Sequence, residues 1–251
     1  MSGVKGRVPF PLVRPLLAEG LGSALLAALV VGSGIAAQQL SDDVGLQLLE
    51  NAAATAAGLF AIILMFGPVS GAHFNPVVSL ADAAFGGLPW RTAAAYVPVQ
   101  IVGCVAGAVL ANAMFAQPAV SVSGTERATG PHLLAEVVAT AGLVLVIFSL
   151  ARSGRAATAP AAVAAYIGAA YWFTSSTSFA NPAITVGRMF SDTFAGIAPS
   201  SAPAFIAAQL VGGAVGVALI AVLYPRLTPA QAADAVVPSD AAGTAEPSAR
   251  R

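Results

Sequence analysis

The chain has 251 residues, of which 57% are hydrophobic and 9% charged, with zero formal net charge. Soluble domains carry roughly a quarter charged residues, so this composition excludes an ordinary soluble domain and fits an integral membrane protein. The neutral balance and the absence of a basic tract exclude nucleic acid as a partner. A lone Cys104, flanked by small residues, excludes an intrachain disulfide and a thiolate metal cluster, and neither a metal nor a cofactor is expected.

In chain order, residues 1–13 read as a short basic arm and residues 14–224 as a membrane domain. A first span from Leu16 to about Gln38 has the ~20 residues that a bilayer requires, and a second runs from about Leu46 to Phe66, ended by Gly67-Pro68. Next comes a polar break, Gly71-Ala72-His73-Phe74-Asn75-Pro76-Val77, followed by an apolar run to about Phe85 that is too short to cross. Asn is a favoured helix N-cap and Pro is favoured in the first turn, so Asn75-Pro76 predicts a half-length helix starting at membrane depth. A third span covers about Arg91 to Phe115, and residues 117–130, rich in Ser, Thr and Gly, form a loop.

Span four runs from about His132 to Leu150 and span five from about Ala159 to Thr174. The break then returns as Ser178-Phe179-Ala180-Asn181-Pro182-Ala183-Ile184, with a second half-helix to about Phe190. Span six covers about Ala202 to Tyr224, and residues 225–251, rich in Ala, Pro, Ser and Asp, read as a disordered tail.

Repetition divides the domain into 14–116 and 131–224, because Glu19 matches Glu136, Asn75 matches Asn181 and Gln100 matches Gln209, at offsets of 117, 106 and 109 residues. Three spans per half is odd, so the second half enters from the opposite side as an inverted repeat. Nine Lys and Arg residues fall on one side and only Arg127 and Arg188 on the other, which places both termini in the cytoplasm of a plasma (inner) membrane. The fold class is all-α, with six transmembrane helices and two re-entrant half-helices whose Asn ends meet near the midplane.

Backbone unwound at that depth must be buried in protein or line a water-filled cavity, and a lumen satisfies both breaks. The aligned dipoles put about half a positive charge at each half-helix N-terminus, which repels cations.

These motifs resemble the major intrinsic protein family, the aquaporins and aquaglyceroporins, over Leu16 to Tyr224. The resemblance implies an aquaporin-like bundle, a homotetramer with one pore per subunit, and passive flux of water and small neutral solutes. It implies that Asn75 and Asn181 donate N–H groups into the pore, and that Glu19 and Glu136 accept backbone N–H groups of the unwound segments. A proton relay is the alternative for the two carboxylates, and His73 is open between a pore donor and a structural hydrogen-bonder.

The sequence departs from the family after the second box, where Ile184 stands in place of the usual Arg. Spacing puts the other filter positions on Thr55, Ala169 and Ser178, with a one-residue slip before Asn181 left open. That set is small or uncharged, without Arg, His or aromatic bulk, so a wider and less polar filter is expected. Arg188, one helical turn beyond Ile184, either guards the vestibule or is an exposed Arg at a helix C-terminus, with Asp192 as a partner. The boxes Asn75-Pro76-Val77 and Asn181-Pro182-Ala183-Ile184 resemble bacterial members associated with arsenic resistance, which implies arsenite, as its neutral trihydroxide, beside glycerol-like polyols. A secondary transporter is the alternative function. An enzyme is not expected, because no nucleophile motif is present.

Overall fold

The computed structural model describes residues 12–224. The basic arm up to residue 11 and the tail 225–251 lie outside the described residues. Among the described residues eight α-helices follow one another: α1 (Val13–Leu40), α2 (Val44–Ser70), α3 (Pro76–Phe85), α4 (Trp90–Met114), α5 (Gly130–Arg152), α6 (Ala159–Phe173), α7 (Pro182–Arg188) and α8 (Ala202–Leu223). A 3₁₀ turn over Ala156–Thr158 leads into α6.

Five of these, α1, α2, α4, α5 and α8, are long and apolar enough to cross a membrane. With 15 residues, α6 is shorter than the usual span, and its preceding 3₁₀ turn extends it. The half-helices α3 and α7 have 10 and 7 residues.

Two expected boundaries move. Helix α1 starts at Val13, and α2 continues through Pro68 to Ser70 rather than stopping at Gly67. A proline near a helix end removes only one hydrogen bond, and here the left-handed Gly71 (φ 87°) terminates α2, its N–H donating to the Gly67 carbonyl. At the other end, the Asp43 carboxylate caps α2 by accepting from the Leu46 N–H.

Small residues set the close packing of α1 on α4 and of α5 on α8. A Cβ on Gly107 would fall on the Ala24 carbonyl, and one on Gly216 would sit 2.9 Å from the Ala141 carbonyl. The connector between α4 and α5 folds over the end of α7: Ser123 N–H donates to the Met189 carbonyl at 2.9 Å and Ala198 N–H to the Thr125 carbonyl at 2.7 Å.

Candidate functional site

Each half-helix is preceded by a strained turn, and the two turns match. Ala72 (φ 53°) and Phe74 (φ 49°) before α3 correspond to Ser178 (φ 51°) and Ala180 (φ 47°) before α7. Left-handed non-glycine residues cost about 1–3 kcal/mol each and persist only where the surroundings fix them. A fully buried carboxylate does that at each turn.

Glu19 Oε1 accepts from the Ser70 hydroxyl (2.6 Å) and the His73 N–H (2.9 Å), while Oε2 accepts from the Phe74 N–H (2.7 Å) and Gln100 Nε2 (2.8 Å). Glu136 repeats the pattern with the Ser176 hydroxyl (2.6 Å), Phe179 N–H (2.9 Å), Ala180 N–H (2.9 Å) and Gln209 Nε2 (2.6 Å). Four donors surround each carboxylate, which offsets the cost of an ionised group at membrane depth.

The turns deliver the two Asn-Pro boxes to each other. Asn75 Oδ1 caps α3 through the Val77 N–H, and Asn181 Oδ1 caps α7 through the Ala183 and Ile184 N–H groups. Asn75 Nδ2 then donates to the Ala180 carbonyl at 2.7 Å, and Asn181 Nδ2 donates to the Phe74 carbonyl at 2.8 Å. A carboxamide nitrogen carries two protons, so each Asn retains one N–H without a protein acceptor among the described residues. Both Asn side chains line one cavity. Pro76 and Pro182, at the first helical position, lose no helical bond, and Val77 and Ala183 are buried behind the boxes.

Thr55, Ser178, Ile184, His73 and Arg188 line the same cavity. Ala169 does not. It is exposed on α6, and Tyr171, 3% exposed, faces the cavity instead, its hydroxyl 3.2 Å from Thr55 Oγ1. Two residues along a helix differ by about 200°, so a spacing count in error by two puts the residue on the opposite face. The expectation of a filter set without aromatic bulk is corrected accordingly, because Tyr171 is part of the lining, and Arg188, expected either at the vestibule or exposed, lines the same cavity.

Arg188 is corrected in a second respect. It is neither exposed nor paired with Asp192, being 2% exposed, with its Nε donating to the Ala195 carbonyl and its guanidinium stacked on Phe179, 3.4 Å from the ring centroid. Asp192 accepts from the Gly124 N–H instead. His73 places Nδ1 3.1 Å from Ser79 Oγ and Nε2 3.4 Å from Asp82 Oδ2. Asp82, Tyr171 and Phe179 were not singled out from sequence. The 106-residue offset that relates Asn75 to Asn181 also relates His73 to Phe179 and Asp82 to Arg188, and it is the signal that points to Phe179 and Asp82; at that offset Tyr171 falls on Met65, so it carries no such signal.

Comparison with known proteins decides the family. Residues 7–180 match the major intrinsic protein family, ending one residue before Asn181. The chain is 49% identical over 212 residues to aquaglyceroporin AqpS of Rhizobium meliloti (strain 1021), an alignment covering 84% of this chain and 90% of that one. The chain belongs to the major intrinsic protein family. It is also 31% identical over 202 residues to aquaporin NIP2-1 of Oryza sativa subsp. japonica, covering 75% of this chain and 65% of the relative. Among solved structures, the aquaglyceroporin from Plasmodium falciparum superposes with a TM-score of 0.67 over 86% of this chain and 96% of its own, at 20% identity, a likeness of fold. The fold is that of an aquaporin, and this family member is a membrane protein.

Proposed function

We propose that the protein is a passive channel for water and small neutral hydroxylated solutes: glycerol-like polyols, and arsenite as its neutral trihydroxide. The observation that carries this is the reciprocal pair Asn75 and Asn181, each capped, cross-bonded and left with one N–H toward a common cavity. A water or alcohol oxygen accepts two hydrogen bonds, so two convergent donors hold it in single file. The relative named aquaglyceroporin, identical at about half of the aligned positions, supports the same solute class. Thr55, Tyr171, Ser178 and Ile184 form the selective constriction in this reading.

A secondary transporter needs a free coupling acid on the solute path: Glu19 and Glu136 are occupied by four donors each, and Asp82, whose Oδ1 is unpartnered among the described residues, is not among the residues lining the cavity. Charge placement supports an inner-membrane orientation with both termini cytoplasmic, and the family supports a homotetramer.

Stopped-flow light scattering on proteoliposomes tests the proposal. Wild type should pass water, glycerol and arsenite down their gradients with no ion gradient present. Asn75→Asp and Asn181→Asp, which put a carboxylate at the meeting point, should weaken cation exclusion or abolish flux. Solute uptake that requires a proton or sodium gradient would replace the channel with the transporter.

A further inference from the structure

Ile184 stands directly after the second box, and an isoleucine cannot discriminate by charge. One turn further along α7, Arg188 lines the same cavity, and its Nε is anchored on the Ala195 carbonyl. Its terminal nitrogens make no hydrogen bond to the described residues and are not among the buried polar atoms left without a partner. With the side chain on the cavity wall, those N–H groups face the cavity. No carboxylate among the described residues forms an ion pair with it.

Its position is held by a ring. Phe179 lies 3.4 Å beneath the Arg188 guanidinium, and Arg127, from the connector between α4 and α5, approaches the same ring at 5.4 Å. Phe179 is also fixed through its own N–H on Glu136 and by edge contact with Phe205, 5.2 Å between centroids. Arg127 is itself tied to the Gly196 carbonyl (2.7 Å) and the Phe194 carbonyl (3.0 Å). A guanidinium stacks on an aromatic face with an attraction that grows when both are desolvated.

We propose that Arg188 is the charge-selecting residue of this channel, displaced one helical turn from the position after the Asn-Pro-Ala box, and that Phe179 is its positioning residue. The inference rests on the channel reading and deepens it by naming what rejects cations at the α7 end. Arg127 adds a second positive charge behind the same ring. The Ile184 position then narrows the path by shape alone, and the guanidinium supplies both the donors for a solute hydroxyl and the repulsion for a cation.

The test uses the full chain in proteoliposomes, with potassium leak and glycerol flux measured on the same vesicles at equal incorporation. Arg188→Gln should raise the ratio of potassium leak to glycerol flux, measured on the same vesicles, by about tenfold or more relative to wild type. Phe179→Leu should raise the leak less, and should add nothing in the Arg188→Gln background, because the ring acts only through the guanidinium. Ile184→Arg placed in the Arg188→Gln background should restore cation exclusion from one turn further in, a rescue that a merely structural role for Arg188 would not give. If Arg188→Gln does not insert, Phe179→Leu carries the test, since a wild-type leak with the ring removed contradicts the positioning. Wild-type ion tightness in Arg188→Gln with normal glycerol flux overturns the inference and leaves the channel reading standing. Wild type that passes no solute overturns both.

Discussion

At the turn before α3, Glu19 gathers four donors, Asn75 caps its helix, and the next side chain to reach the cavity is His73, backed by Asp82 and Ser79. At the turn before α7, Glu136 gathers the same four kinds of donor and Asn181 caps in the same way. There, however, Phe179 occupies the His73 position and Arg188 the Asp82 position. The scaffold is duplicated and the charge is inverted: an acid and an imidazole at one end, a guanidinium on an aromatic ring at the other. What the duplication preserves is what the unwound backbone demands, with the paired Asn caps, and what it lets vary is the pair of side chains packed beside each cap.

Breaking the preserved part should produce the largest effects, and equal ones. Glu19→Gln and Glu136→Gln each replace an acceptor oxygen by an NH₂ group facing two donors, at about 1–3 kcal/mol per donor left unmatched in the interior. Both variants should lose most of their membrane-inserted, detergent-stable protein, as judged by size-exclusion yield and thermal unfolding. A large loss in one half only would show that the hydrogen-bond symmetry is not an energetic symmetry.

The helix crossings sharpen the same comparison at somewhat smaller cost. Gly107→Val drives a branched side chain into the Ala24 carbonyl of α1, and Gly216→Val does the same to Val144 and Ala141 of α5. Overpacking of this kind costs about 1–3 kcal/mol or more. Both should lower the unfolding temperature. Gly107→Val should do so more, because its Cβ meets backbone that cannot rotate away.

How much of this was legible depended on the range of the signal. The Asn-Pro boxes, Glu19, Glu136, Gln100 and Gln209 stand out in sequence because capping chemistry is local and acids are conspicuous in apolar spans. Tyr171 did not stand out, because the rotational phase of α6 follows from where its 3₁₀ lead-in turns, and no residue type marks that point. Arg188 read as an exposed helix end, because its true partner Phe179 lies nine residues back across an unwound turn.

Asp82 separates carboxylates that hold the scaffold from one that does not. Its Oδ1 has no partner among the described residues and its Oδ2 reaches only His73, in contrast to the four donors around Glu19. Replacing a buried, poorly compensated charge is often neutral or stabilising. Asp82→Asn should therefore leave the unfolding temperature unchanged or raise it, and leave glycerol flux within about twofold of wild type, a factor worth under about 1 kcal/mol. A loss as large as that of Glu19→Gln would mean that the α3 end is braced by the His73–Asp82 contact as well.

The smallest effect is expected at the surface, where the two ends differ in what covers them. The α3 end closes with the short turn at Gly86, whereas the α7 end lies under the connector, clamped by Glu126 accepting from the Ser200 and Ser201 hydroxyls at 2.6 Å each. Those two hydrogen bonds hold the Glu126 carboxyl below its ordinary value of 4.5. A carboxylate whose folded pKa is depressed contributes stability that is present above the unfolded value and lost as pH falls through the folded one. The Glu126 carboxyl is exposed and screened by solvent, so the contribution is slight. Glu126→Gln should accordingly speed hydrogen exchange in residues 121–128 at neutral pH, with little change around Gly86. The difference between variant and wild type should shrink as the pH falls below the unfolded value and vanish once it has passed through the depressed Glu126 pKa, where both side chains are neutral. Exchange that differs equally at both ends, or that persists in acid, would detach the connector's hold on α7 from this carboxylate.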